Sequence, residues 1–440
     1  VGNSAGQGGT TSAPYSSGEN NTALGYQALT AFTTGDENVA LGYQAGSNMT
    51  TGDRNIAIGY QAKAGSVGYD NIVLGKGAGA GFSSGYKNIV MGNQAAAGHN
   101  GIENVVIGHQ AMGGGSTGVD RTIIIGYQAA YNINSADADG TVAIGYAAGG
   151  SITSGRGNVA IGYQALDAED DGDFNTAVGY RALSSQTGNS AEVGNTAIGY
   201  EAADALTTGR FSVFVGAHAG GAITTGAYNV AIGYGAMRYP TGLTGNVAIG
   251  WNALTAMSGS AGSKYNTAVG YGAGDSVTTA DSLTLVGAQV GSAITTGNDN
   301  TAVGYLALNQ LETSASNTAL GHMAGYHTMG NSNTYIGEGA GYSGASADHG
   351  SKNVAVGRGS MYYGDNINNS VAMGYFSLQH GDANTSSTVA LGYFAGSYAT
   401  GSYNTFVGSY AGKGGTTSAP YSSGQYNVAM GYQALEEFTT

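Results

Sequence analysis

The chain contains no cysteine, and several other residue types are scarce. Without cysteine, disulfides and thiolate metal sites are excluded. Only 3 prolines accompany the 80 glycines, and no Gly-x-y triplet repeats, which excludes a collagen helix. No run of about 18 apolar residues is present, so we expect no insertion into a membrane. The N-terminus shows no charged region followed by an apolar stretch, so no signal peptide is visible.

Charged residues are also few, at 9% of the chain, and the formal net charge is −14. The basic residues are scattered singly, as at Arg54, Lys87, Arg121 and Lys352. Nucleic acids and anionic membranes both require a basic stripe, so we expect neither as a partner. Apolar residues make up 41% of the chain and recur periodically, which argues against disorder.

One short motif, aliphatic-Gly-x-x-Ala, usually preceded by Asn, is repeated along the chain. Residues 158–165, Asn-Val-Ala-Ile-Gly-Tyr-Gln-Ala, are a clear copy. A fixed period of this size is typical of a solenoid. We number coil positions relative to the motif glycine, which is position 0. The 25 motif glycines are at 2, 25, 42, 59, 75, 92, 108, 126, 145, 162, 179, 199, 216, 233, 250, 270, 287, 304, 321, 337, 357, 374, 392, 408 and 431.

A second, longer repeat is superimposed on the first. Residues 8–18 return unchanged at 414–424, an offset of 406 residues or 23 short repeats. Neither end of the chain reads as the polar cap that a finished solenoid requires. We therefore expect residues 1–440 to form one continuous array that is cut from a longer chain.

The residue pattern around the glycine predicts a short strand in each coil. Position −1 is aliphatic in all 25 copies, and position −3 is often Val, Ile or Thr. Residues two apart share one face of a strand, so we expect these two positions to be buried. Position −2 is mostly Ala but accepts bulk, and we expect it to face outward. Accordingly, Ile58, Ile161, Ile232 and Val303 should be buried, Asp171 and Arg156 should be exposed, and outward bulk is expected at Val73, Ile124, Phe214, Tyr335 and Phe406.

Other positions also repeat. The glycine should lie at a bend where φ is positive or where a Cβ would clash. Position +3 is Ala in 22 of 25 copies, which indicates a closely approaching backbone. Asn at position −4 favours a structural ladder over a ligand-binding row, and Tyr at position +1 favours packing over a sugar platform. With no helical pattern, the sequence predicts an all-β, parallel β-solenoid (β-roll) of about 25 short coils.

The string Asn-Val-Ala-Ile-Gly-x-x-(Ala/Ser) resembles the head repeat of trimeric autotransporter adhesins, and Ser360 and Ser377 match that family's Ser. Copies such as Asn-Thr-Ala-Leu-Gly-Tyr-Gln-Ala-Leu resemble repeats of bacteriophage tail-fibre proteins. The resemblance covers essentially every coil and implies a left-handed β-roll assembled as a homotrimer. Ala28, Ala165, Ala273 and Ala411 would then allow close approach between chains.

Candidate chemical sites are weak. Gly2-Asn3-Ser4-Ala5-Gly6 matches a nucleophile elbow but is also the ordinary repeat. Gly412-Lys413 lacks phosphate-loop spacing, and the seven histidines, His322 and His327 included, never fall in a metal-ligand spacing with one another. The acidic cluster Glu169, Asp170, Asp171 and Asp173 could bind Ca²⁺, but a solvated turn is favoured. We therefore expect no catalytic residue, metal or cofactor.

Three functions remain open. The leading one is a non-enzymatic structural shaft of an extracellular adhesive fibre of the phage tail-fibre type. The alternative is a bacterial cell-surface adhesin or filament whose shaft contacts glycan or host protein. Ice binding is a distant third, suggested by the pairs Thr33-Thr34, Thr50-Thr51, Thr207-Thr208 and Thr224-Thr225.

The spacing between motif glycines rises to 20 or 23 residues in five coils. Since the strand motif is intact in each, the extra residues should project as surface loops where recognition could reside. Deleting 8–18 and 414–424 should then leave the fold intact. The expected loops are Ser184–Gly194, Met257–Lys264, Ser343–Ser351, Gly8–Gly18 and Gly414–Gly424.

Overall fold

The structure is a computed structural model that describes residues 2–8, 16–115, 118–187, 192–258, 262–343, 350–382, 385–415 and 422–438. Two compact units divide the chain, Val1–Thr225 (unit 1) and Gly226–Thr440 (unit 2). Both are all-β solenoids with one three-residue strand per coil. No α-helix is found in the described ranges, and therefore none that could cross a bilayer. The expected fold class is confirmed, whereas continuity over 1–440 stays a prediction.

The twelve strands of unit 1 pair in order, parallel and in register, so that Asn-strand-Gly motifs of successive coils align. One 3-10 turn lies between β7 and β8. The elements are β1 (Thr22–Leu24), β2 (Val39–Leu41), β3 (Ile56–Ile58), β4 (Ile72–Leu74), β5 (Ile89–Met91), β6 (Val105–Ile107), β7 (Ile123–Ile125), η1 (Ala136–Ala138), β8 (Val142–Ile144), β9 (Val159–Ile161), β10 (Thr176–Val178), β11 (Thr196–Ile198) and β12 (Val213–Val215).

Unit 2 repeats the arrangement with twelve solenoid strands in register, and two further two-residue strands, β14 and β16, pair with each other. The elements are β13 (Val230–Ile232), β14 (Leu243–Thr244), β15 (Val247–Ile249), β16 (Gly262–Ser263), β17 (Thr267–Val269), β18 (Thr284–Val286), β19 (Thr301–Val303), β20 (Thr318–Leu320), β21 (Thr334–Ile336), β22 (Val354–Val356), β23 (Val371–Met373), β24 (Val389–Leu391), β25 (Thr405–Val407) and β26 (Val428–Met430).

The motif glycine is required for two reasons, and both expectations are confirmed. At Gly162 φ is +136°, and an added Cβ would overlap the carbonyl oxygen of Gly179 in the next coil. The chain then turns sharply, and the position +3 N–H donates to the glycine carbonyl, as from Ala45 to Gly42 at 3.3 Å. Positions +2 and +4 also have positive φ, at Gln27 and Leu29 for example.

Hydrogen bonds between coils continue through this irregular half. The N–H of Gln44 donates to the carbonyl of Tyr26 at 2.8 Å, and that of Leu29 donates to the carbonyl of Ala45 at 2.9 Å. Backbone groups therefore find partners in the adjacent coil even outside the strands, which avoids leaving them buried and unpaired. This explains how a strand of only three residues can support a stable coil.

The predicted strand phase is wrong. Position −2 is the buried one, at 0% exposure for Ala57, Ala160 and Ala302, whereas positions −3 and −1 face outward. Thus Ile58, Ile161, Ile232 and Val303, expected inside, are partly exposed, as is Asp171, while Arg156 is exposed as expected. Because the buried Asn at −4 has the same parity as −2, period-2 alternation places −3 and −1 on the outer face.

Large side chains are accommodated at position −2 for a reason other than the one expected. Val73, Ile124, Phe214, Tyr335 and Phe406 are all fully buried rather than outward. They fit because position +4 across the narrow interior becomes small. Glycine occupies it opposite the largest side chains: an added Cβ at Gly220 would overlap the ring of Phe214, and the same holds for Gly341 with Tyr335 and for Gly412 with Phe406.

Where position −2 is Ala, a larger side chain often fills the space. Leu166 stands at +4 in the coil of Ala160, and Met49 extends under Gly46 toward Ala40. Burying such a side chain contributes about 1.5–3 kcal/mol relative to exposing it. The near-invariant Ala at +3 also points inward, so Ala28, Ala165, Ala273 and Ala411 are fully buried in their own coils. They cannot provide the contact between chains for which they were proposed.

Candidate functional site

The asparagines at position −4 form a buried ladder. The Nδ2 of Asn158 donates to the carbonyl of Gly172 at 2.8 Å, and its Oδ1 accepts the N–H of Asn175 at 2.8 Å. The same pair of bonds recurs at Asn38 and Asn55. Each side chain thus satisfies two backbone groups of the following coil at the corner before the strand. These hydrogen bonds fit the structural ladder that the sequence predicts.

The tyrosines at position +1 form an exposed stacked file. Tyr127, Tyr146, Tyr163 and Tyr180 have successive ring centroids 5.1–5.2 Å apart and nearly parallel planes. Each ring is 41–47% exposed, so one part of every ring remains open to a partner. The glutamines at position +2 run beside them, and in unit 1 the Nε2 of Gln44 donates to the Oε1 of Gln27 at 2.8 Å.

A shallow groove in unit 2 interrupts this file. Three successive coils have His322, Glu338 and Arg358 at position +1 instead of Tyr, with Arg358 Nε 3.2 Å from Glu338 Oε2. Tyr342 and Tyr362 at position +5 stack at 4.8 Å and complete a cavity of about 240 Å³. The replacement of Tyr at position +1 is visible in the sequence. Only the folded coil shows that Tyr342 and Tyr362 at position +5 lie beside the replaced residues.

Glycines at position +2 shape this groove. An added Cβ at Gly339 would lie 2.7 Å from Tyr362 Cε2, so the glycine lets the ring pack flat against the backbone. Burial, and then the neighbouring Tyr342, raise the pKa of the Tyr362 hydroxyl. The hydroxyl is therefore a neutral donor at ordinary pH. The groove combines aromatic faces with one carboxylate and one guanidinium.

Ion pairs also connect like positions of adjacent coils. Arg54 Nε lies 2.7 Å from Asp70 Oδ1, and this bond lowers the pKa of the exposed Asp70 carboxyl. Arg156 Nε lies 2.9 Å from Asp173 Oδ2. Exposed pairs of this kind contribute little stability individually. Their arrangement avoids stacking like charges along the coil axis.

The acidic cluster is not a simple solvated turn. Glu169 is fully buried, and its Oε1 accepts the N–H groups of Asp170 and Gly172 at 3.0 and 2.7 Å. Asp171 and Asp173 border an open depression together with Arg156. Within the described ranges no three His, Asp or Glu side chains are placed to hold a metal ion. The buried carboxylate acts as a cap for its own turn.

The remaining candidates follow the repeat. Ser4 has a positive φ, but so do the other described residues at position +2 from Gln27 to Gln61. The hydroxyl of Ser4 donates to the neighbouring Asn3 Oδ1 at 3.3 Å. The first Thr of each loop pair is engaged internally: Thr33 Oγ1 donates to the carbonyl of Thr50 at 3.2 Å. Similar bonds form at Thr50 and Thr207, so these hydroxyls are not free for an ice lattice.

The five predicted loops are only partly described. Residues 9–15, 188–191, 259–261, 344–349 and 416–421 lie outside the described residues, so projection there stays a prediction. The ends of these segments belong to the coil: Gln186 and Met257 are fully buried, and the carbonyl of Gly424 accepts Asn404 Nδ2 at 2.8 Å. Residues 16–18 and 422–424 therefore belong to their coils, and the loops expected to extend to Gly18 and Gly424 are shorter than predicted at that end.

Comparison with known proteins identifies no relative. No protein-family model matches the sequence, and no curated protein is significantly similar to it. The function is accordingly argued from the geometry of the coils.

Proposed function

We propose that this protein is the non-enzymatic structural shaft of an extracellular adhesive fibre, of the phage tail-fibre type. The observation that supports this most directly is the in-register stacking of near-identical coils in each unit. Backbone hydrogen bonds, Asn side chains and Tyr rings all run from one coil to the next along the same direction. Such repetition suits a rigid spacer and offers no unique catalytic centre.

A shaft should have a length set by its number of coils. Each added coil extends a parallel stack by about 4.8 Å. Within the full fibre, removal of a whole number of coils from this array should shorten the appendage in proportion while preserving attachment at its tip. Electron microscopy of fibres lacking twelve coils, a loss of roughly 58 Å, tests this. Unchanged length, or lost attachment at normal length, would contradict a spacer role.

The proposal includes self-association, with three chains in the fibre, and location outside the cell on a virion or cell surface. Both follow from the resemblance to adhesin heads and tail-fibre repeats. The buried alanines at position +3 no longer support this association, so another surface must supply the contact.

The alternative, a bacterial adhesin or filament whose shaft itself binds glycan, is favoured by the groove of unit 2. A sugar can contact the parts of Tyr342 and Tyr362 that line the groove, and Glu338 and Arg358 can bond vicinal hydroxyls. Since the carboxylate and guanidinium offset each other, a neutral pyranose fits better than an acidic one. Ice binding remains third because the first hydroxyls of three pairs, at Thr33, Thr50 and Thr207, already donate to backbone carbonyls.

A glycan array probed with the whole chain tests this alternative. Tyr362→Ala should lower binding to neutral glycans at least tenfold, while Tyr146→Ala, in the exposed file of unit 1, serves as the control. Equal binding by both variants, or no binding by the parent chain, would remove the groove from consideration.

A further inference from the structure

The outward side of the solenoid strands is a surface of aliphatic and Thr side chains that the described residues leave partly exposed. In the twelve solenoid strands of each unit, both outward positions (−3 and −1) hold only Thr, Val, Ile, Leu or Met. These side chains are partly exposed, for example 51% at Leu24 and 48% at Leu320, and Val428 and Met430 of the last strand are 67% and 70% exposed. We call this surface the strand face.

The composition of the strand face is unlike that of a solvated sheet. A sheet with one wet side normally alternates apolar and polar residues. Here the wet positions are the apolar ones, and no charged residue stands at −3 or −1 in any described solenoid strand. The same coils place Asp, Glu, Lys and Arg at other positions, as at Arg54 and Asp70. The composition of the strand face therefore favours contact with another apolar surface over contact with water.

The area available is large enough for a stable complex. The Tyr file follows the strand face two residues further along each coil, and its eight members in unit 1 are 41–49% exposed. Because a fully buried Tyr covers about 150–250 Å², these rings alone offer on the order of 700 Å². A standard interface buries about 800 Å² on each partner. The aliphatic side chains of the strand face add to this.

The period of the face selects the partner. Its side chains repeat at the spacing of adjacent parallel strands, about 4.8 Å, along the twelve strands of a unit. A partner can interdigitate along that length only if it carries the same repeat. A lipid surface has no such period, and basic residues that flank the face, such as Arg54 and Arg156, are paired with the carboxylates of Asp70 and Asp173.

We propose that the strand face is where this chain binds a second copy of itself, strand face against strand face. Two such faces would pack about 10 Å apart, as the sheets of a sandwich do. The inference rests on the self-association included in the proposed function but not on the number of three chains, because a contact between two identical faces joins the chains in pairs. The two can fail separately, because a shaft could be built from a single solenoid.

The first test places charge on the face at alternate coils. Ile125→Lys, Ile161→Lys and Ile198→Lys are combined in one chain, and the control carries Asn134→Lys, Thr187→Lys and Thr208→Lys at exposed positions outside the strands. By mass measurement at micromolar concentration, the parent and control chains should be oligomeric and the face variant monomeric. Circular dichroism should show β structure in all three. A monomeric parent chain, or an oligomer that persists in the folded face variant, overturns the proposal.

A second, milder test does not depend on that variant folding. Since the chain has no cysteine, Ile161→Cys introduces one thiol on the face and Thr187→Cys introduces one away from it. In the assembled protein the first thiol should react at least tenfold more slowly with a bulky maleimide than the second. Equal reaction rates in native conditions would show that the face is open, and the proposal would fall.

Discussion

At the scale of single residues, the coil interior is governed by compensation between positions −2 and +4. The interior is too narrow for two large side chains, so Phe214 faces Gly220, whereas Ala160 accompanies Leu166. This relation is present in the sequence. The strand phase that the sequence predicts conceals it, because that phase places position −2 on the outer face.

The Phe214–Gly220 pair provides a test by double substitution. Phe214→Ala should cost about 3–5 kcal/mol by leaving a cavity, and Gly220→Leu alone about 1–3 kcal/mol by overpacking. The double variant should be more stable than the sum predicts, because Ala with Leu is the pairing of other coils and Leu already adopts positive φ at Leu166. Additive losses in chemical unfolding would show that the two residues do not share one space.

Carboxylates at position +5 are a second residue-level feature. Burial raises the pKa of Asp275, and of Asp167 and Asp204 at the same position. Asp275 Oδ1 is buried and has no hydrogen-bond partner among the residues that the structure describes. The ionised form is therefore disfavoured in the folded chain relative to the unfolded chain.

The sign of the pH dependence follows. Because the folded state holds this proton more tightly, stability increases as pH falls through the raised pKa and levels off below the ordinary value of 3.8. Asp275→Asn should raise the melting temperature at pH 7, with a gain that shrinks toward pH 3.8. Asp299→Asn, at an exposed carboxyl, is the control. A gain for Asp275→Asn that is independent of pH would exclude desolvation as its cause.

At the scale of the structural element, the corner before each strand depends on the Asn ladder. Asn is suited to it because one amide supplies both a donor and an acceptor, and the corner presents one carbonyl and one N–H. Ser370 replaces it with an equivalent pair of bonds, because its Oγ donates to the carbonyl of Thr385 at 3.3 Å and accepts the N–H of Thr388 at 3.1 Å.

Asn158→Ala should therefore leave the Gly172 carbonyl and the Asn175 N–H buried without partners. At about 1–3 kcal/mol for each group, we expect a loss of roughly 2–6 kcal/mol in the free energy of unfolding. Gln164→Ala is a matched control in the same coil, since Ala147 already occupies that position with the same positive φ. Equal melting temperatures for the two variants would show that Asn158 contributes no more to stability than Gln164 does.

At the scale of the whole molecule, each coil interacts with its neighbours only, so whole coils should be interchangeable. Removing 160–176 joins Val159 to Ala177 and preserves the order Asn-Val-Ala-Val-Gly. We expect a cooperative melt close to that of the parent chain. Removing 160–167 instead breaks the register and should lower the melting temperature strongly. Similar melts for both deletions would contradict stacking in register.

Several features could be derived from the sequence alone. The period indicated coils, the absence of any helical pattern indicated strands, and identical motifs indicated parallel pairing in register. The need for glycine at position 0 also followed, because a bend between close backbones admits no Cβ. These properties are local or repeated, and repetition allows them to be inferred from a single sequence.

Only the tertiary structure decided which strand side is the interior. Val159, Ala160 and Ile161 are all apolar, so alternation of polarity gives no answer, and the larger side chains looked like the core. In this coil of about seventeen residues the interior is filled by Ala160 together with Leu166 from the opposite wall, which leaves no room there for Val159 and Ile161. Val159 and Ile161 therefore point outward, where their apolar side chains can contact another chain.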